Sequence, residues 1–160
     1  MTEKEKQRTI IRAREKDMPE LARLARAYFD ELGLEYDAQG LDQDIADPEK
    51  VYQSGGILVA LASGLAVGMV GLRLLEPGTG EDKRMYLCPE HRGSGLGRRL
   101  LQEVIDLARE LGLTRLVLDT RLELKAANAL YESFGFRDIQ DYNQNPRAQR
   151  FMELELRVRD

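Results

Sequence analysis

Two stretches of the chain repeat apolar residues every three or four positions, and several others cluster or alternate them as strands do. Leu21, Leu24, Ala25, Tyr28 and Leu32 predict a helix with Asp17 as its cap, Pro19 and Glu20 in its first turn and Gly33 at its end. Leu100, Leu101, Val104, Ile105, Ala108 and Leu111 line one face of a second helix over 97–111. A short helix is predicted over 41–46, before Pro48, and another over 125–134, closed by Gly135. Strands are predicted at 7–13, at 57–62 and 65–75 as a hairpin broken by Pro77-Gly78, at 83–88 and at 113–120. Ile139 and the stretch 151–158 suggest two more. The order βα(α)βββαβαββ, with no repeat or linker, predicts one mixed α/β domain spanning 1–160.

Between Val51 and Leu72 no residue is charged. Five glycines and the Ser63-Gly64 break make this a pair of buried strands rather than a membrane span. Composition narrows the picture further. A net charge of −4 argues against a chain whose main task is gripping nucleic acid. A single Cys and a single His exclude an internal disulfide and a cysteine-rich zinc site, and no metal is expected. Residues 1–8 mix Glu and Lys without an apolar core, so no secretory signal is read there and a cytoplasmic protein is expected.

The strongest chemical signal is Arg92-Gly93-Ser94-Gly95-Leu96-Gly97, followed by Arg98-Arg99, between a strand and the clearest helix. A helix start leaves backbone N–H groups without partners, and its dipole favours negative charge. Glycines let that backbone approach an anion closely, so the loop suits a phosphate or pyrophosphate. A dinucleotide-binding Rossmann loop competes. Gly93 and Gly95 fit it, and Asp119 ends the next strand as an acidic partner would. However, Arg98 stands where its third glycine belongs, and roughly 80 residues precede the loop. No Gly-Lys-Ser/Thr of a Walker loop follows.

The loop resembles the Arg/Gln-x-x-Gly-x-Gly/Ala signature of the GNAT superfamily, the acetyl-CoA-dependent N-acetyltransferases. Leu130-Tyr131-Glu132-Ser133-Phe134-Gly135-Phe136 resembles that family's Leu-Tyr-x-x-x-Gly-Phe helix end. The element order is also similar over 7–158. The resemblance implies a central, mostly antiparallel sheet of about seven strands, flanked by about four helices and splayed between the strands at 83–88 and 114–120. Acetyl-CoA, the cosubstrate, would lie in that splay along Met85, Tyr86 and Leu87. Its pyrophosphate would sit on the loop formed by Arg92, Gly93, Ser94, Gly95, Leu96, Gly97 and Arg98. The family's asparagine seven residues before the motif tyrosine is absent, since Leu124 holds that place and Asn128 lies elsewhere on the helix.

Acetyl transfer to an amine needs a neutral amine, a stabilised oxyanion and a stabilised thiolate. The resemblance places Tyr131 near the CoA sulfur as an acid; the alternative is a packing tyrosine. It also makes Glu81, eleven residues before Arg92, the candidate base. The alternative is a solvated carboxylate in the run Glu81-Asp82-Lys83-Arg84. A backbone N–H near Met85 or Tyr86, at a break in strand pairing, is the expected oxyanion donor. Cys88 and His91 have no evident orienting partner, so a covalent cysteine route is not expected. From Ala27 to Glu49 there are eight acids and no Lys or Arg. This run is read as an acidic rim attracting a cationic amine, or else as the wet face of short helices. Residues 141–150 are read as the opposite lip or as a plain turn. The reading is an N-acetyltransferase acting on a small cationic primary amine in a ternary complex, compatible with a homodimer. A nucleotide-binding module and a non-catalytic acyl-CoA sensor are the alternatives.

Overall fold

The computed structural model describes residues 7–157. Strands β1 (Arg8–Arg12), β2 (Gly56–Ala62), β3 (Leu65–Glu76), β4 (Thr79–Leu87), β5 (Arg115–Thr120), β6 (Arg137–Asp138) and β7 (Arg150–Glu155) form one sheet in the order β1-β2-β3-β4-β5-β7-β6. Every neighbouring pair is antiparallel except β4 with β5. That topology excludes the doubly wound parallel sheet of a Rossmann module.

Alternation along β2 and β3 sends side chains to two apolar layers, as the period of two requires. Leu58, Ala60, Val70 and Leu72 pack on helix α4 (Leu96–Glu110) through Leu100, Leu101, Val104 and Ile105. Val59 and Met69 pack on α1 (Met18–Leu32) through Leu21, Leu24, Ala25 and Phe29. The uncharged run is therefore a central hairpin covered on both faces, which is why it lacks alternation in polarity. Each leucine buried here contributes roughly 1.5–3 kcal/mol. Helix α5 (Lys125–Ser133) follows β5 and lays Tyr131 and Leu130 against the α4 layer.

Some boundaries differ from the sequence expectation. Asp17 does not cap α1 through its side chain. Its carboxylate accepts from Arg14 N at 2.8 Å, closing a 3₁₀ turn over Glu15–Asp17 ahead of the helix. The short helix before Pro48 is α2 (Gln43–Ala46), and Pro48 starts a further turn, α3 (Pro48–Val51), with Asp47 accepting from Lys50 N. β4 begins four residues earlier than predicted, because Gly80, Glu81 and Asp82 are inside the sheet rather than in a charged turn. Among the described residues no helix is long and apolar enough to cross a membrane.

Candidate active site

β4 and β5 pair over three positions only, Thr79 with Arg115, Gly80 with Leu116 and Glu81 with Val117. Beyond Glu81 the two strands part. The gap between them is a cleft of about 290 Å³. Its walls include Glu81, Asp82 and Met85 of β4, Asp119 of β5, Tyr131 of α5 and Asn143 of the loop before β7.

The pairing of β3 with β4 breaks at the same level. Met69 faces Tyr86 and Gly71 faces Lys83, so Val70 alone stands opposite Arg84 and Met85. Arg84 adopts φ +58°, a left-handed conformation that costs a side-chain-bearing residue roughly 1–2 kcal/mol. This is a β-bulge at the mouth of the cleft, as expected for the break near Met85.

Glu81 is not the solvated carboxylate of a charge run: it is 1% exposed. Its Oε1 accepts from Arg73 Nη2 at 2.7 Å. Its Oε2 accepts from Tyr142 OH at 2.6 Å and Asn143 Nδ2 at 3.4 Å. Asn143 also donates to Asp119 at 2.6 Å, and Asn145 to Asp119 at 3.2 Å. The segment 141–150 therefore forms a lip closing on two carboxylates. Tyr142 and Asn143 belong to the polar segment read from the sequence as a lip, but their contact with Glu81 was not foreseen, and Arg73 carried no signal at all. The register that places Arg73 beside Glu81 follows from the hairpin turn at 77–78, and the reach of Tyr142 is a long-range contact with no local signal.

Asp82 points to the opposite face from Glu81, the face shared by Gly80 and Leu72. Its Oδ2 is buried without a hydrogen-bond partner. Burial first, then the charges of Glu81 and Asp119, push its carboxyl up to about 7. Tyr131 is 6% exposed, with its hydroxyl 3.8 Å from Met85 Sδ and its ring edge-on to Phe136. Burial raises the phenol well above its usual range, with Asp82 adding to the effect.

In the loop between β4 and α4, Gly93 and Gly95 take φ of +75° and +85°, and a Cβ at either would meet nothing within 4 Å. The first helical bond of α4 runs from Arg99 N to Gly95 O at 3.1 Å. Among the described residues the amides of 93–98 have no backbone acceptor, which is the geometry of an open anion cradle. The side chains do not share that freedom. Arg92, expected to frame the anion, instead donates to Leu87 O and grips Glu31 at 2.7 and 2.8 Å, stacked over Tyr86. The Ser94 hydroxyl donates to His91 O, and Arg98 reaches Ser133 Oγ over the Phe134 ring. Tyr86 and Leu87 are packed into the two core layers, so their contribution to a ligand would be through backbone. Gly95→Asp meets no neighbouring atom, but it strains the left-handed backbone of the cradle and sets a carboxylate beside its amides. It is expected to weaken acetyl-CoA binding by about tenfold or more in a folded protein; calorimetric titration with unchanged affinity would refute this.

Two acids of the run from Ala27 to Glu49, Asp42 and Asp44, are not part of a free carboxylate rim, while Glu35, Asp37, Asp47 and Glu49 stay exposed. Asp42 is fully buried and accepts from Arg84 at 2.9 Å and from Arg147 at 2.7 and 3.1 Å. Asp44 accepts from Arg84 at 2.9 and 3.0 Å and from Tyr52 OH at 2.7 Å. Arginines far along the chain consume these charges, a pairing that a count of local charge cannot reveal. At Leu124 the family's asparagine is indeed missing from the start of α5. Asn128 Nδ2 binds Arg121 O and Leu124 O, holding the turn into the helix from within. Cys88 lies off the cleft, half-buried between the core layers, and burial raises its thiol.

A splayed sheet, a glycine cradle at the start of α4 and a bulged strand between them define an acyltransferase of the kind that uses acetyl-CoA. The family described as the acetyltransferase (GNAT) family matches residues 18–136, and the chain belongs to it. It is 37% identical to an uncharacterised N-acetyltransferase of Schizosaccharomyces pombe over 81% of this chain and 82% of that one. Of several other N-acetyltransferase relatives it spans about half the length. An acetyltransferase of the GNAT family from Staphylococcus aureus superposes with a TM-score of 0.84 at 22% identity, covering 94% of this chain and 99% of that one. An acetyltransferase of Salmonella typhimurium, solved with its cofactor acetyl-CoA, superposes with a TM-score of 0.75 at 22% identity over 96% of each chain.

Proposed function

We propose that the protein moves the acetyl group of acetyl-CoA directly onto a small primary amine held in the cleft with it. The observation that carries this reading is the parting of β4 and β5 beyond Glu81, which leaves Glu81 and Tyr131 lining one cleft. The cradle at 93–98 takes the pyrophosphate through backbone donors. The bulge at Arg84–Met85 turns a backbone N–H toward the acetyl carbonyl as its oxygen gains charge. Glu81, fixed by Arg73, Tyr142 and Asn143, draws the proton from the ammonium, directly or through water. Tyr131 donates to the departing thiolate.

Direct attack is favoured over a covalent relay because the chain's one thiol lies outside the cleft lining. The acceptor arrives as an ammonium and meets Glu81 and Asp119. Arg73, Lys83, Arg84, Arg121 and Arg147 also line the cleft, so a single ammonium fits it better than a polyamine. The test is an amine panel with acetyl-CoA, read by free-thiol release and by mass of the acetylated product. Monoamines are expected to exceed spermidine in kcat/KM. Thiol release without an acetylated amine, or no release with any amine, would overturn the reading.

A further inference from the structure

We propose that Arg84 is a positioning residue, whose clamp on the acidic segment after α1 holds the bulge of β4 in the shape that serves the thioester. The inference rests on the acetyl-transfer reading above and adds to it the part of the chain that sets the geometry.

Arg84 is itself the bulged residue, with φ at +58°. A regular ladder would relieve that conformation by returning Arg84 and Met85 to register with β3. Something outside the ladder must therefore oppose relaxation. The guanidinium supplies it. Nε and Nη2 grip both oxygens of Asp44 at 3.0 and 2.9 Å. Nη2 also reaches Asp42 Oδ1 at 2.9 Å and Leu41 O at 3.2 Å. The planar group lies against the rings of Tyr28 and Phe29, with its central carbon 5.9 and 5.5 Å from their centroids. Both carboxylates are almost wholly buried. A planar fork on a buried carboxylate has one good orientation, so it fixes direction as well as charge.

The same pair of acids couples the bulge to the acceptor side. Asp42 also holds Arg147 of the lip, and Arg147 reaches Glu35 O at 2.8 Å. The α1–α2 segment, the bulge and the lip around Asn143 thus meet in one buried network. Their relative placement decides whether amine, carbonyl and donor line up. Small misplacement of this kind lowers turnover more than binding.

The test compares Arg84→Lys, Asp44→Asn and Tyr52→Phe in the full chain. The first two keep size but break the fork. The third removes a buried hydrogen bond to the same Asp44, from Tyr52 OH at 2.7 Å, and leaves the fork intact. Arg84→Lys and Asp44→Asn are expected to lower kcat by about tenfold or more, with acetyl-CoA affinity by calorimetry within about twofold of wild type. Amide exchange at Met85 should slow as the bulge closes. Tyr52→Phe should lower the melting temperature and leave kcat near wild type. If Arg84→Lys does not fold, Asp44→Asn alone decides. Retention of kcat in the folded fork variants, or a kcat loss in Tyr52→Phe equal to theirs, overturns the proposal. Absence of amine acetylation by the wild-type protein would instead overturn the acetyl-transfer reading beneath it.

Discussion

Tyr131→Phe is expected to lower kcat by about 10²-fold while acetyl-CoA affinity stays within about twofold, since acid assistance typically contributes 10²–10⁴-fold. The ring is 6% exposed and packed edge-on against Phe136, so phenylalanine keeps the core contact. What it loses is the hydroxyl, which sits beside Met85 at the cleft. Burial, with Asp82 behind it, holds the phenol well above its usual range. A thiol titrates near 8.5, so the proton remains on the tyrosine oxygen and is shared with the thiolate rather than given up. The hydroxyl therefore acts as a hydrogen-bond donor to developing charge, which places the effect at the low end of the range. A donor with a more acidic thiol needs less of that help. The penalty of Tyr131→Phe should shrink when acetyl-CoA is replaced by such a thioester. Turnover within about a factor of two of wild type on both donors would make the tyrosine a packing residue.

The parts of this molecule that could be read from its sequence are those written in local pattern. The face of α4 repeats leucine and valine at helical spacing, and the glycines at 93 and 95 announce positive φ at a helix start. The two motifs around Gly95 and Tyr131 bracket β5, so the order of elements around the cleft was legible as well. What was not legible is long-range charge pairing. Asp42 and Asp44 read as surface acids because their partners, Arg84 and Arg147, are distant in sequence. Glu81 read as a candidate base or else as part of one solvated run with Asp82, and nothing local decided between the two. In the sheet the two residues point to opposite faces, one into three donors and the other into none. Arg92 lies in the signature loop, yet its side chain serves Glu31 of α1 rather than the cradle. For Asp42, Asp44, Glu81 and Asp82 the deciding quantity is the desolvation of a charge, which depends on what the fold brings over it; for Arg92 it is an exposed partner brought near from a distant helix.

Asp82 gives the largest expected effect on stability. The residue is 5% exposed, and its Oδ2 has no partner. Glu81 on its own strand and Asp119 on β5 act on it as like charges, and the neutral phenol of Tyr131 offers no countercharge. An acid titrates near 3.8 when unfolded, and this one is pushed up to about 7 in the fold. Below the unfolded value both states are protonated and the site carries no penalty. As pH rises through the window between the two values, the unfolded state releases a proton that the native state keeps, so stability falls. Above about pH 7 the full cost applies, of order 4 kcal/mol. Asp82→Asn removes the titration while keeping the shape. The variant should gain on the wild type by about 2–3 kcal/mol between pH 5 and pH 8, or about 5–10 °C in melting temperature for a chain of this size. Urea unfolding at the two pH values measures the difference directly, and the change in the gap cancels any fixed effect of the amide itself. A gap of the same size at pH 5 and pH 8 would mean that the native carboxylate is already charged and compensated at the lower pH, and the floor of the cleft would then hold water or a cation beside it.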